Sequence, residues 1–176
     1  MLTLPIKGKK QVPIRNVDFD RAVVNFHWKA ILHTYARSPG IDALKEIERD
    51  TRKYIDYPFN SFAVSVLKII LGKIGIETHV QLSGSTYVSS EGTDAVQHQL
   101  NALCKLKGCT KFLVGDSAFE YLKREIFEGI EIVKDTWPCP PYPQCTFSGS
   151  FVPELSIIDL IANMPNWDAV RNYLRG

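Results

Sequence analysis

The apolar positions of this chain change rhythm twice. Near the start, Leu2, Leu4 and Ile6 alternate with polar or small neighbours, and Ile14-Arg15-Asn16-Val17-Asp18-Phe19 alternates again. A period of two marks a half-buried strand. KGKKQ connects the two runs, and Pro5 and Pro13 push the predicted strands toward a sheet edge because proline cannot donate to a ladder. The period then lengthens to that of a helix. Residues 23–36 bring Phe26, Ala30, Ile31 and Tyr35 into helical spacing before Pro39-Gly40 stops the pattern. Residues 42–54 alternate acids and bases over a thin apolar stripe, which predicts an outer, solvated helix. Residues 61–73 are apolar on most sides and end at Gly72 and Gly75, so they predict the most buried helix.

Beyond Gly75, short strands and helices alternate. The pattern predicts a strand at 76–82, a helix at 93–107 with Thr93 as N-cap and Gly108 as stop, and a strand at 110–114. A helix at 117–128 and a strand at 130–134 follow. Such a βαβαβ series with short links implies parallel strands and right-handed crossovers. The predicted fold class is α/β: a mostly parallel sheet with helices on both faces, in a Rossmann-like three-layer arrangement. Residues 156–163 and 167–174 add a helical carboxy-terminal cap. Between sheet and cap lies WPCPPYPQCTF, residues 137–147, too proline-rich for regular structure. Its cysteines, Trp137 and Tyr142 predict an ordered, packed loop where proline-rich composition alone reads as disorder.

Composition narrows the classes. A chain of 176 residues predicts a single domain, 1–176, that buries roughly 70% of its unfolded surface. Hydrophobic residues at 45% and charged residues at 23% exclude a disordered or fibrous chain. Twenty-one basic against 19 acidic residues leave a net charge of only +2, and lysines and aromatics are not interleaved along one surface. No nucleic-acid partner is therefore expected. The opening apolar run is too short for a signal peptide, and the stretch 62–76 is broken by Ser65, Lys68, Gly72 and Lys73. It falls short of the roughly 20 apolar residues of a membrane span, so the expected location is the cytoplasm. Cys104, Cys109, Cys139 and Cys145, spaced C-x4-C and C-x5-C, form neither zinc-ribbon pairs nor a disulfide scaffold. Reduced, mostly structural thiols and no metal site are expected.

Candidate chemistry follows from position. Ligands of open parallel sheets bind beyond the carboxyl ends of the strands, which selects Ser83-Gly84-Ser85 and Gly115-Asp116-Ser117. Gly115 permits close backbone approach, while Asp116 or Ser117 is expected to cap the next helix, with or without a ligand beside it. Lys7, Lys9, Lys10 and Arg15 gather positive charge suited to a diphosphate or a carboxylate, and Lys7 and Arg15 adjoin strand residues. Lys9 and Lys10 read rather as solubilising edge lysines. His27 is a candidate general base toward an amine or hydroxyl, set against the common capped or core histidine. Near the end, FVPELSIIDLIAN sets Asp159 and Asn163 at i and i+4 on one helix face, with Ser156 as cap. An acid in an apolar helix binds something polar or holds the backbone of a neighbouring loop, here the proline-rich one.

Taken in order, LTLPIKGK, Val17-Asp18, His27-Trp28, Tyr35, LGKIGIET and LNALCKLKGCTKFLVGDSAFEYL resemble the WbqC-like family. So do Phe127, Gly129-Ile130, Tyr142 with Gln144, and FVPELSIIDLIAN, which extends the likeness from Leu2 to Asn163. Family members usually begin earlier, with a strand, a Pro-Trp turn and an Asp-Asp strand, so the resemblance implies a chain lacking that front segment. Arg37-Ser38-Pro39-Gly40 also departs from the family's Lys-Ala-Pro-aromatic string. The resemblance implies a transferase of surface-polysaccharide (O-antigen) precursor biosynthesis that moves a glycyl or acyl group onto an amino sugar. His27, Asp116 and Asp159 are the expected catalytic set. Lys7, Arg15, Ser83, Ser117, Gln144 and Asn163 are expected to bind a nucleotide sugar or other small substrate. No cofactor is specified. The alternative is a non-catalytic binding or partner subunit, with a second copy or another chain covering the amino-terminal sheet edge.

Overall fold

The computed structural model describes residues 4–7, 13–82, 94–145 and 149–176. They gather into two compact units, one from residues 1–81 and 139–176 and one from 82–138.

The first unit is mainly helical. Strands β1 (Ile6–Lys7) and β2 (Asp18–Phe19) pair antiparallel, with Ile6 opposite Phe19 and Lys7 opposite Asp18. The predicted second strand is shorter than its alternation suggests, because Ile14–Asn16 winds into a 3-10 turn. Pro13 starts that turn with φ −53°, and its carbonyl accepts from the Asn16 N–H at 2.8 Å. Three helices follow: α1 (Arg21–Thr34), α2 (Ile41–Arg52) and α3 (Phe59–Ile74). Asp20 caps α1 by accepting the Ala22 N–H at 2.9 Å. The thin stripe of α2 is its buried edge, through Leu44, Ile47 and Thr51; Lys45, Arg49 and Arg52 are exposed, while Glu46 and Asp50 are half-buried and pair with Lys73 of α3. Gly75 ends α3 in the left-handed conformation (φ 74°), where glycine carries no Cβ penalty.

After the proline-rich loop come α6 (Ile157–Asn163) and α7 (Trp167–Arg175). Two clusters fill this unit. One joins Leu44, Ile47, Ile74, Tyr142, Ile161 and Val170, and the other is built on Phe19, Val24 and Phe62. Trp28 packs against both. The most buried described helix is α6, not α3. Asp159 to Asn163 are all buried in it, whereas α3 buries only Phe62 and Ile74. So α6 lies in the core of its unit rather than capping it. Its backbone is approached so closely that a Cβ on Gly40 would lie 2.0 Å from the Ile161 carbonyl oxygen. Gly40 instead donates its N–H to the Ala162 carbonyl at 2.8 Å.

The second unit holds α4 (Ala95–Leu106), β3 (Lys111–Val114), α5 (Asp116–Tyr121) and β4 (Glu131–Lys134). Strands β3 and β4 are parallel, in register from Lys111–Glu131 to Val114–Lys134. The expected third parallel strand at 76–82 forms no ladder, so among the described residues the parallel sheet has two strands and the three-layer arrangement is not reproduced. Mixed helix and strand content stands; a Rossmann-like architecture does not follow from it. The predicted helix 117–128 stops at Tyr121 because the Gln97 side chain takes the Lys123 N–H at 2.8 Å. A separate 3-10 turn, Arg124–Phe127, follows. No helix among the described residues is long and apolar enough to cross a membrane.

Candidate functional site

Asp159 is the centre of the polar structure in the first unit. It lies in the first turn of α6, after Ser156 has capped that helix by accepting the Ile158 N–H at 3.2 Å. Only 6% of Asp159 is exposed, so every acceptor position on its carboxylate needs a donor. Tyr35, just past α1, donates its hydroxyl to Oδ1 at 2.7 Å. Tyr142 donates to Oδ2 at 2.7 Å, and Gln144 Nε2 donates to the same oxygen at 3.1 Å. Hydroxyl donors to a carboxylate make short, charge-assisted bonds. Burial, followed by the bond to Asp159, pushes the Tyr142 phenol up to about 12. The same two causes raise Tyr35 well above the ordinary tyrosine range. Both phenols therefore keep their protons and act as fixed donors.

The partners of Asp159 are themselves held. Gln144 donates to the Val152 carbonyl at 2.9 Å and accepts the Val152 N–H at 2.8 Å, clamping both sides of the loop. One turn along α6, Asn163 donates to the Asp159 carbonyl at 2.8 Å and accepts the Cys145 N–H at 2.7 Å. Tyr142 is packed edge-to-face by Phe151 and Tyr173, with ring centroids 5.3 and 5.4 Å away. Tyr173 also donates its hydroxyl to the Pro140 carbonyl. Cys139, just before Pro140, sits in the left-handed region at φ 44°, a conformation costing about 1 kcal/mol that these anchors must offset. The arrangement fixes an aromatic, proline-rich loop on a buried acid.

Of the predicted site residues, Asp159, Gln144 and Asn163 thus share one network. Tyr35 and Tyr142 complete it. The chemical signal for them was available, since an acid buried in an apolar helix needs donors that can themselves be buried, and tyrosine hydroxyls suit that role.

The remaining first-unit residues have other surroundings. Lys7 is exposed on β1 opposite Asp18, and Arg15 is exposed in the 3-10 turn. Arg21 holds Asp18 at 2.9 Å, and that bond keeps the Asp18 carboxyl below its ordinary value. His27 is half-buried on α1, its ring 6.5 Å from that of Phe26, with no hydrogen-bond partner among the described residues. It lies eight residues before Tyr35, about 12 Å along the helix direction at 1.5 Å per residue. Ser83, with Lys9, Lys10 and the Thr93 cap, lies outside the described residues.

In the second unit, Asp116 is exposed and pairs with Lys134 at 3.0 Å across the carboxyl ends of β3 and β4. Neither Asp116 nor Ser117 caps α5. Gly115 occupies the cap position with no side chain to offer, and Asp116 and Ser117 are already the first helical residues. The unit also contains an open hollow of about 330 Å³ lined mainly by Val96, Leu100, Phe112, Val114 and Leu122. Two of its polar residues are committed: Asp94 pairs with Lys123 at 2.7 Å, and Gln97 binds the backbone after α5. Among the described residues, no group of three or more His, Cys, Asp or Glu side chains is placed to hold a metal ion.

No curated protein and no solved structure matches the chain significantly. A family model does. The WbqC-like protein family model matches residues 1–171, and nothing in that match bears out the expected loss of the family's front segment. With nearly its whole length matched, the chain belongs to the WbqC-like protein family.

Proposed function

We propose that the protein is a cytoplasmic transferase of surface-polysaccharide precursor biosynthesis that moves a glycyl or other acyl group from an activated donor onto an amino sugar carried by a nucleotide. Family membership supports this reading, and one observation shapes the mechanism. Both oxygens of Asp159 are committed to Tyr35, Tyr142 and Gln144. Asp159 is thereby a positioning residue, and His27, whose imidazole has no such commitments, is the general base. The sugar amine attacks the donor carbonyl, the C–N bond forms, the bond to the donor's leaving group breaks, and the amine proton passes to His27. An imidazole suits that step because it accepts a proton near neutral pH. Lys7 and Arg15 supply charge for phosphates, and holding both reactants in place accounts for much of the rate.

Replacing His27 by Ala tests this. Turnover with an amino-sugar nucleotide and an activated acyl donor should fall by about 10²–10⁴-fold, the usual contribution of a general base, while the melting temperature stays unchanged. Turnover close to that of the unmodified protein removes His27 from the mechanism.

The second reading, a non-catalytic binding subunit, draws on the hollow in the second unit. Its lining is mainly apolar and Asp94 and Gln97 are already paired, so it offers apolar surface for a ligand rather than a reacting group. A ligand that raises the melting temperature without being turned over favours this reading.

A further inference from the structure

We propose that Cys104 and Cys109 form a dithiol site that oxidises to an internal disulfide through exchange with a small-molecule disulfide such as glutathione disulfide. The argument starts from how α4 ends. The Cys109 N–H donates to the Cys104 carbonyl at 2.9 Å, and the Gly108 N–H donates to the Lys105 carbonyl at 3.1 Å. Gly108 has φ 65°. This pair of bonds around a left-handed glycine is a Schellman stop, and such a stop brings the side chains of its first and last residues into contact. In most proteins that contact is apolar. Here both positions are cysteine.

Backbone geometry permits the bond. With the carbonyl oxygen and amide nitrogen 2.9 Å apart, standard bond lengths keep the two Cα atoms within the roughly 7 Å that a disulfide spans. The two thiols lie within electrostatic reach of each other, because Cys109 adds to the burial that holds the Cys104 thiol above its ordinary value. Both are free, with Cys109 exposed and Cys104 half-buried. Burial pushes the Cys104 thiol up, which leaves the exposed Cys109 to react first.

The exchange balances. The Cys109 thiolate attacks one sulfur of glutathione disulfide, forming a mixed disulfide and releasing one glutathione thiolate. The Cys104 thiol then loses its proton to solvent and attacks the Cys109 sulfur, releasing the second glutathione. Two electrons pass from the cysteine pair to the oxidant. The product ties the last turn of α4 to a residue two positions before β3. This site lies wholly in the second unit and is independent of the transferase reading.

The intact chain is incubated in glutathione redox buffers, alkylated and digested with trypsin. Cleavage after Lys105 and Lys107 separates the two cysteines unless a disulfide joins them. The expected result is loss of two hydrogens from the pair and recovery of the Cys104 and Cys109 peptides as one linked species, with no persistent glutathione adduct. In Cys104→Ser, the glutathione adduct on Cys109 should accumulate, because nothing is left to displace it. A stable adduct on Cys109 of the unmodified chain overturns the proposal, as does linkage of Cys109 to Cys139 or Cys145, or absence of any reaction at Cys109.

Discussion

Asp159 and Asp116 occupy similar places in the sequence and very different ones in space. Each lies in the first turn of a short helix, and each belongs to the expected catalytic set. Asp159 is buried beneath two tyrosines and a glutamine, with three donors on its two oxygens. The side chain of Asp116 is 76% exposed and meets one lysine whose own side chain is 45% exposed. The apolar residues around them account for the contrast. Leu160, Ile161 and Ala162 are buried beside Asp159 and take it with them into the core, where it must be satisfied by protein. Asp116 follows Gly115 at the end of a strand and is satisfied by water as readily as by Lys134. The first acid is an organiser of structure, while the second is free to exchange partners.

Removing Asp159 should therefore have the largest effect. Asp159→Ala leaves the hydroxyls of Tyr35 and Tyr142 without their acceptor inside the core. Each orphaned donor costs about 1–3 kcal/mol, partly offset by no longer burying a charge, so a net loss of about 3 kcal/mol is expected. Urea denaturation at neutral pH reads it as a lower midpoint with an unchanged slope. A change under about 1 kcal/mol would mean that the network adds little to the fold.

The helices were legible because their signals are local. The predicted starts and ends of α1, α2, α3 and α7 lie within two residues of the observed ones, and Ser156 caps α6 as its type and position suggest. What failed depends on distant partners. A strand at 76–82 requires a neighbour to bond to, and alternation alone does not supply one. The early end of α5 is imposed by Gln97, 26 residues upstream of Lys123. Burial was misjudged for a related reason. Apolar content singled out α3, yet α6 is the deeper helix because Asp159 and Asn163 bring their own partners into the core. The site was readable as far as Asp159, Gln144 and Asn163, but Tyr35 ends α1 and Tyr142 lies in the proline-rich loop, and no periodicity records that the two converge on the acid.

Tyr142→Phe sharpens the comparison by removing one donor and leaving the acid in place. The expected loss is about 2 kcal/mol, the scale of a hydrogen bond to a charged group. Its pH dependence is more diagnostic than its size. The Tyr142 phenol titrates at about 12 in the fold against an ordinary value of 10.0. Between those values the unfolded chain has lost a proton that the native chain keeps, so stability falls as pH rises. This contribution is complete below pH 10 and is lost as pH rises toward 12. Denaturation midpoints followed across that window should decline less steeply in Tyr142→Phe than in the unmodified protein, with Tyr35 supplying the remaining slope. Parallel declines would show that Tyr142 titrates as an ordinary phenol.

The smallest effect belongs to Asp116. An exposed ion pair gains little in water, loses side-chain freedom when it forms, and weakens further in salt. Asp116→Ala should change stability by no more than about 0.5 kcal/mol, and raising the salt concentration should erase what difference there is. Neither Lys134 nor α5 is left with a buried unpaired group, because both Asp116 and Lys134 are exposed and Gly115 caps the helix without a side chain. If Asp116→Ala instead costs as much as Asp159→Ala, and does so independently of salt, exposure is not what separates the two acids. Asp116 would then have to contribute through contacts other than its pairing with Lys134.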